Sequence, residues 1–195
     1  IQGPSFTVST ACSSGGDAIN TACMCMQSGK ADIMLAVGAE SVLCPLVIYS
    51  LANAKALSRR NDSPSTASRP FDVTRDGFVI GEGGGALVLE TEEHALARGA
   101  KIYAEIRGCG NTDDAYHVTA PHPEGRGAIA CMKQAIAEAG INPSDIGYIN
   151  AHGTATNKGD TVETSSIKKV FGNTLPYVSS TKGATGHMMG AGGIT

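Results

Sequence analysis

The sequence predicts a layered α/β fold, and three observations carry that prediction. Short apolar runs of strand length alternate with stretches whose apolar residues recur at helical spacing. The strand-like runs end in turns rich in Gly, Ser and Thr, where a sheet hands the chain to a helix. The 25 glycines gather at those turns instead of forming low-complexity tracts, which fits tight turns and close backbone packing.

In chain order, Phe6, Thr7 and Val8 mark a strand over 5–10. Ala18, Ile19, Ala22 and Met26 mark a helix over 13–28 that Gly29 stops. A strand follows over 32–38, then an irregular helical stretch near 46–57. Residues 58–76 read as a polar loop with two prolines, and a strand pair near 77–90 surrounds a glycine run. Thr91 caps a helix over 91–98. A strand over 101–111, a long loop and a helix over 125–139, stopped by Gly140, come next. The chain closes with a strand over 146–150, a helix over about 158–171, a strand over 177–179 and a helix start near 187. This alternation implies parallel strands joined by crossovers.

Composition narrows the function. A net charge of −3 leaves no nucleic-acid footprint. No apolar run approaches the ~20 residues of a membrane span. Six cysteines stand at 12, 23, 25, 44, 109 and 131. Cys23 and Cys25 point to different faces of a helix, and no CxxC pair exists, so a metal chelate is not expected. One reactive thiol and five packed ones in a reducing compartment is the simpler reading. Gly81-Glu-Gly-Gly-Gly85 lacks the Lys-Ser/Thr of a phosphate loop and is flanked by β-type residues, so it reads as strand.

Three segments carry chemistry. Thr10-Ala-Cys12-Ser-Ser-Gly places a thiol where a strand passes into a helix, and the positive end of a helix dipole favours thiolate. Ser and Gly around it leave room for a large electrophile. Asn150-Ala-His152-Gly-Thr154-Ala-Thr156 follows an apolar strand. Lys182-Gly-Ala-Thr-Gly186-His187-Met-Met-Gly190-Ala-Gly-Gly193 follows another. Both histidines sit at strand ends, where ligand chemistry collects in α/β sheets. His94, inside a helical run, reads as structural. His117 and His122 fall in a Pro-containing loop and are left open.

Together these segments resemble the β-ketoacyl-acyl-carrier-protein synthases, the condensing enzymes of the thiolase superfamily. Gly38-Ala-Glu40, Ser68-Arg-Pro-Phe-Asp72 and Arg75-Asp-Gly-Phe-Val-Ile-Gly-Glu-Gly-Gly-Gly85 look like the family too. Asp114-Ala-Tyr-His117-Val-Thr-Ala-Pro121 is closest to the elongating, synthase II type. The resemblance implies a thiolase-like layered fold (αβαβα) of two similar halves, 1–99 with the nucleophile and 100–195 with both histidines. Residue 1 falls just before the nucleophile strand and residue 195 just after the second histidine. The chain is therefore expected to be a fragment, lacking N-terminal and C-terminal parts of the fold, and inactive when expressed alone.

The resemblance also implies roles. Cys12 is the acyl-accepting nucleophile, and His152 and His187 donate N–H groups to the enolate of malonyl thioester. Lys182 is a buried charge that organises the site, with Glu163 as its charge neighbour. Asp160 and Glu163, three apart on one helix face, serve ion pairing instead of acid–base catalysis. Thr154 and Thr156 alternate on an extended segment, so their hydroxyls share one side, and they contact the pantetheine arm. Leu51 stands at the acyl pocket where relatives often carry an aromatic. Lys55 stands where a basic residue docks an acidic carrier protein. Asn157 replaces a common Pro and touches no catalytic atom. The expected partner is acyl carrier protein, with a cytoplasmic homodimer and no cofactor or metal. A polyketide ketosynthase keeps the same residues. A non-catalytic carrier-binding subunit would lack the nucleophile.

Overall fold

The computed structural model describes residues 2–195. Two compact units emerge, each built from discontinuous segments. The first comprises residues through Leu43, Gly81–Glu105 and Met188–Thr195. The second comprises Cys44–Ile80 and Ile106–His187.

In the first unit, α1 (Ser14–Gln27) packs on β1 (Ile33–Glu40). β1 pairs with β2 (Gly83–Glu90) in an antiparallel ladder from Ile33 opposite Glu90 to Glu40 opposite Gly83. This corrects the parallel arrangement that the sequence pattern implied: after residues 44–80 the chain returns in the opposite direction. The glycine run is strand, as its flanking residues predict. A Cβ at Gly38 would stand 3.1 Å from the Ala191 Cα, and one at Gly85 2.7 Å from the Ile194 side chain. Small residues in the ladder therefore let the turn Met189–Ala191 lie directly on the sheet. α3 (Glu92–Ala97) starts at its predicted cap, where the Thr91 side chain accepts the His94 N–H.

The second unit holds α2 (Pro45–Asn53), α4 (Arg126–Ala139), β3 (Tyr148–Asn150), α5 (Asn157–Phe171), β4 (Tyr177–Ser179) and the single turn α6 (Lys182–Thr185). β3 and β4 pair in parallel, and α4 packs on α5. Gly140 stops α4 at φ +67°.

Other sequence expectations need correction. Residues 5–10 and 101–111 form no ladder, because a strand needs a paired neighbour and no described segment pairs with them. The expected strand pair at 77–90 is one strand. Before it, only isolated bridges join Phe78 to Leu57 and Ile80 to His187. The helix start expected near 187 is displaced to α6, and residues 189–191 make a tighter turn. Gly186, at φ +70°, separates the two.

Candidate active site

Cys12 belongs to the first unit. It lies half-buried in the tight turn Ala11–Ser13, directly ahead of α1. Hydroxyls lace this turn together. Ser14 Oγ donates to the Ala11 carbonyl (2.7 Å) and accepts the Thr10 N–H (2.9 Å). The Asp17 carboxylate, in the first turn of α1, receives the Thr10 hydroxyl and lies 3.0 Å from Ser13 Oγ. An acid there is favoured by the helix dipole. Ala11 has φ +53°, a left-handed conformation that costs an L-residue about 1–2 kcal/mol. The hydroxyl network offsets that strain and holds the backbone that carries the thiol.

The histidines belong to the second unit. His152 follows β3, and its backbone N–H donates to Glu163 at 2.7 Å. The next N–H, from Gly153, donates to the other Glu163 oxygen, also at 2.7 Å. His187 follows α6, and its N–H donates to the Val79 carbonyl at 2.7 Å. So anchored, the two imidazoles meet nearly perpendicular, with ring centroids 5.4 Å apart. Phe78 closes the other side of His187, 5.1 Å away and edge-on. His187 is 2% exposed and Lys182 8%, while His152 keeps a solvent-accessible face.

This packing sets the charge state. Burial pushes His152 down to about 4, and the Lys182 cation adds to the shift. Burial likewise pushes His187 to about 4, helped by His152 and Lys182. Both imidazoles are neutral at pH 7, so each has one N–H to give. Burial also raises Glu163 above the usual carboxylate range; its two backbone donors and Lys182 oppose the rise, and Asp160 adds to it.

Asp160 is 1% exposed and clamps two loops. It accepts the Phe71 N–H (2.7 Å) and the Ala155 N–H (3.1 Å), and Arg75 Nε lies 3.5 Å away. Phe71 and Ala155 have φ +65° and +66°, so this buried carboxylate holds two strained turns. Thr154 and Thr156 bring their hydroxyls within 3.1 Å of each other. Leu51 lies part-buried in α2, and Lys55 is exposed just beyond that helix. His94 contacts Glu90, and the Nδ1 atoms of His117 and His122 accept nearby backbone N–H groups, so all three serve local structure.

Sequence reasoning missed Asp17, Arg75, Phe78 and Ser180. Arg75 donates to the Thr156 and Asn157 carbonyls, and Ser180 donates to the Gly153 carbonyl. Arg75 and Phe78 do lie in the quoted Arg75-Asp-Gly-Phe segment, the one signal that pointed to them. These Ser180 and Arg75 bonds join segments 27 to 82 residues apart, and no local pattern reports such a contact; Asp17, by contrast, reaches Thr10 and Ser13 only seven and four residues away.

Comparison with known proteins matches this arrangement to a family. The model for the Beta-ketoacyl synthase N-terminal domain covers residues 1–95, and that for its C-terminal domain covers 103–195. The chain belongs to the β-ketoacyl synthase family. Similar members include 3-oxoacyl-[acyl-carrier-protein] synthase 2 of Rhizobium meliloti, 50% identical over 99% of this chain and 46% of its own length. The mitochondrial 3-oxoacyl-[acyl-carrier-protein] synthase of Arabidopsis thaliana is 50% identical over 99% of this chain and 43% of its own. This β-ketoacyl synthase chain thus spans about half the length of the curated relatives it matches. Among solved structures, a type II PKS acyl-carrier protein complexed with its ketosynthase and bound to the hexaketide gives TM-score 0.93 and 42% identity, covering 97% of this chain and 47% of that one. A β-ketoacyl synthase from Burkholderia phymatum gives TM-score 0.89 at 43% identity, covering 95% and 45%. The fold is therefore the thiolase-like layered α/β fold of the ketosynthases, in part.

Proposed function

We propose that the protein condenses an acyl group held on Cys12 with malonyl-acyl carrier protein, releasing CO2 and giving 3-oxoacyl-acyl carrier protein in fatty acid elongation. The observation that carries this reading is the pair of neutral imidazoles packed edge to face beside a buried lysine. In the first step the Cys12 thiolate attacks the acyl thioester and displaces the carrier thiol. In the second, the bond to the malonyl carboxylate breaks, CO2 leaves, and the electron pair passes into an enolate. His152 and His187 each donate one N–H to its oxygen, and such a donor typically contributes ~3–4 kcal/mol. The carbanion then attacks the acyl-Cys12 carbonyl, forming the carbon–carbon bond and expelling the thiolate.

The charge of Lys182 adds to the burial that keeps both rings neutral. Glu163 and Asp160 hold the loop that bears His152. Thr154 and Thr156 receive the pantetheine arm, Leu51 lines the acyl pocket, and Lys55 docks the acidic carrier. The two family-model matches support halves that meet near residue 100. The named carrier-protein synthases at about 50% identity support acyl carrier protein as partner. Among the described residues, no helix is long and apolar enough to cross a membrane. A homodimer working in the cytoplasm completes the reading, on the family resemblance.

The test is malonyl decarboxylation by the full-length enzyme. His152→Ala and His187→Ala should each cripple it more than acyl loading, whereas Cys12→Ala should abolish loading and leave some decarboxylation. Parental decarboxylation in either histidine variant removes that residue from the enolate site. A polyketide ketosynthase is the second reading, favoured by the complex with TM-score 0.93. Turnover on simple saturated acyl chains separates the two. The presence of Cys12 argues against a non-catalytic carrier-binding subunit.

A further inference from the structure

We infer that Ser180 is a positioning residue that locks the two histidine segments to one another. The inference rests on the condensing reading above and adds to it a residue outside the Cys–His–His–Lys set. Ser180 Oγ donates to the Gly153 carbonyl at 2.8 Å. The same oxygen accepts the Lys182 N–H at 3.3 Å. One hydroxyl thus uses its single proton on the segment after His152 and a lone pair on the segment leading to His187.

Gly153 shows how close this joint is. A Cβ there would stand 2.6 Å from Ser180 Cβ and 2.9 Å from the Phe71 ring, so the glycine exists to admit the serine. The residue following His152 is consequently gripped at both ends. Glu163 takes its N–H at 2.7 Å, and Ser180 serves its carbonyl. On the other side, the Ser68 hydroxyl holds the Lys182 carbonyl, so Ser180 and Ser68 fix both backbone groups of the lysine. His152 and His187 are carried by different segments, and their 5.4 Å contact needs a tie between those segments. The β3–β4 ladder and the Thr181 N–H bond to Asn150 Oδ1 join these segments before His152, and the half-buried Ser180 adds the tie beyond it, at Gly153.

The distinguishing property is selectivity for one step. Misplacing donors by a fraction of an ångström weakens transition-state contacts while substrate binding persists. In the full-length enzyme, Ser180→Ala should lower kcat for malonyl-carrier-protein decarboxylation about tenfold, with KM within about twofold. Acyl transfer to Cys12, measured separately, should stay near the parental rate. If Ser180→Ala loses its cooperative thermal transition, Ser180→Cys keeps the shape with a weaker donor and is judged by the same split. Parental kcat in a folded variant overturns the role of Ser180 while leaving the condensing reading intact. Equal losses in decarboxylation and acyl transfer, or a loss carried by KM, show general structural damage and also overturn it. A parent enzyme that does not decarboxylate malonyl carrier protein overturns the condensing reading, and the positioning role falls with it.

Discussion

Single residues set the chemistry through charge and strain. His152 and His187 are held at about 4, against 6.5 for an ordinary histidine. Decarboxylation should therefore stay level as pH drops from 7 toward 5 and fall only as the rings protonate near 4. Stability should respond earlier. Between 6.5 and about 4 the unfolded chain binds more protons at these positions than the folded one, so folding weakens as pH falls and levels off below about 4. Rate profiles beside thermal melts across pH 4–8 check both, and a decarboxylation midpoint near 6.5 would contradict the neutral pair. Lys55 shows strain at an exposed position. It holds φ +56° at the end of α2, where the Lys55 N–H bonds Ala52 and the Ala56 N–H bonds Leu51. Lys55→Gly should raise stability by ~0.5–1 kcal/mol by relieving that strain. It should also raise KM for an acidic carrier protein if the lysine docks it. Melting and steady-state kinetics on one variant read both effects.

Elements are positioned by close approaches that helical or strand periodicity does not encode. The segment 101–111 makes no ladder, yet Gly108 and Gly110 both lie against α4. A Cβ at Gly110 would stand 2.1 Å from the Cys131 carbonyl, and one at Gly108 2.3 Å from that of Ala135. Backbone cannot yield there as a flexible side chain can. Gly110→Ala should cost ~2–4 kcal/mol and lower the melting temperature without changing the pH midpoint of decarboxylation. A variant as stable as its parent would show that α4 shifts freely. α4 itself begins at Gly125 with no cap of its own. Asp114 supplies one, accepting the Gly127 and His122 N–H groups at 3.0 and 2.8 Å. The sequence marked this helix and its glycine stop, but a cap thirteen residues upstream lies outside any local capping pattern.

At the scale of the whole chain, uncovered apolar surface stands out. Ile33, Leu35 and Val37 lie on one face of β1 at 37%, 49% and 52% exposure, and Val88, opposite Leu35 on β2, is 62% exposed. In the second unit Tyr177 is 84% and Val178 40% exposed on β4. Apolar sheet faces of this kind drive association. The 195-residue chain expressed by itself should elute above its 19.9 kDa monomer mass and bind a hydrophobic dye, with no condensing activity. A dye-silent monomer with a cooperative melt would refute this.

By itself the sequence determined the α/β class, the extents of α1, α4, α5 and β4 to within a residue or so, and the three motifs that carry Cys12, His152, Lys182 and His187. These rest on short-range physics: hydrophobic period, glycine stops and the residue types that a nucleophile or N–H donor requires. Tertiary structure decided the antiparallel pairing of β1 with β2, the absence of ladders at 5–10 and 101–111, and the neutrality of the histidines. It also decided the tying roles of Asp160, Arg75 and Ser180. Each of these depends on which distant segments come together: a ladder needs its neighbour, a pKa responds to burial, and the hydroxyl of residue 180 finds its acceptor at residue 153 only after the chain has folded.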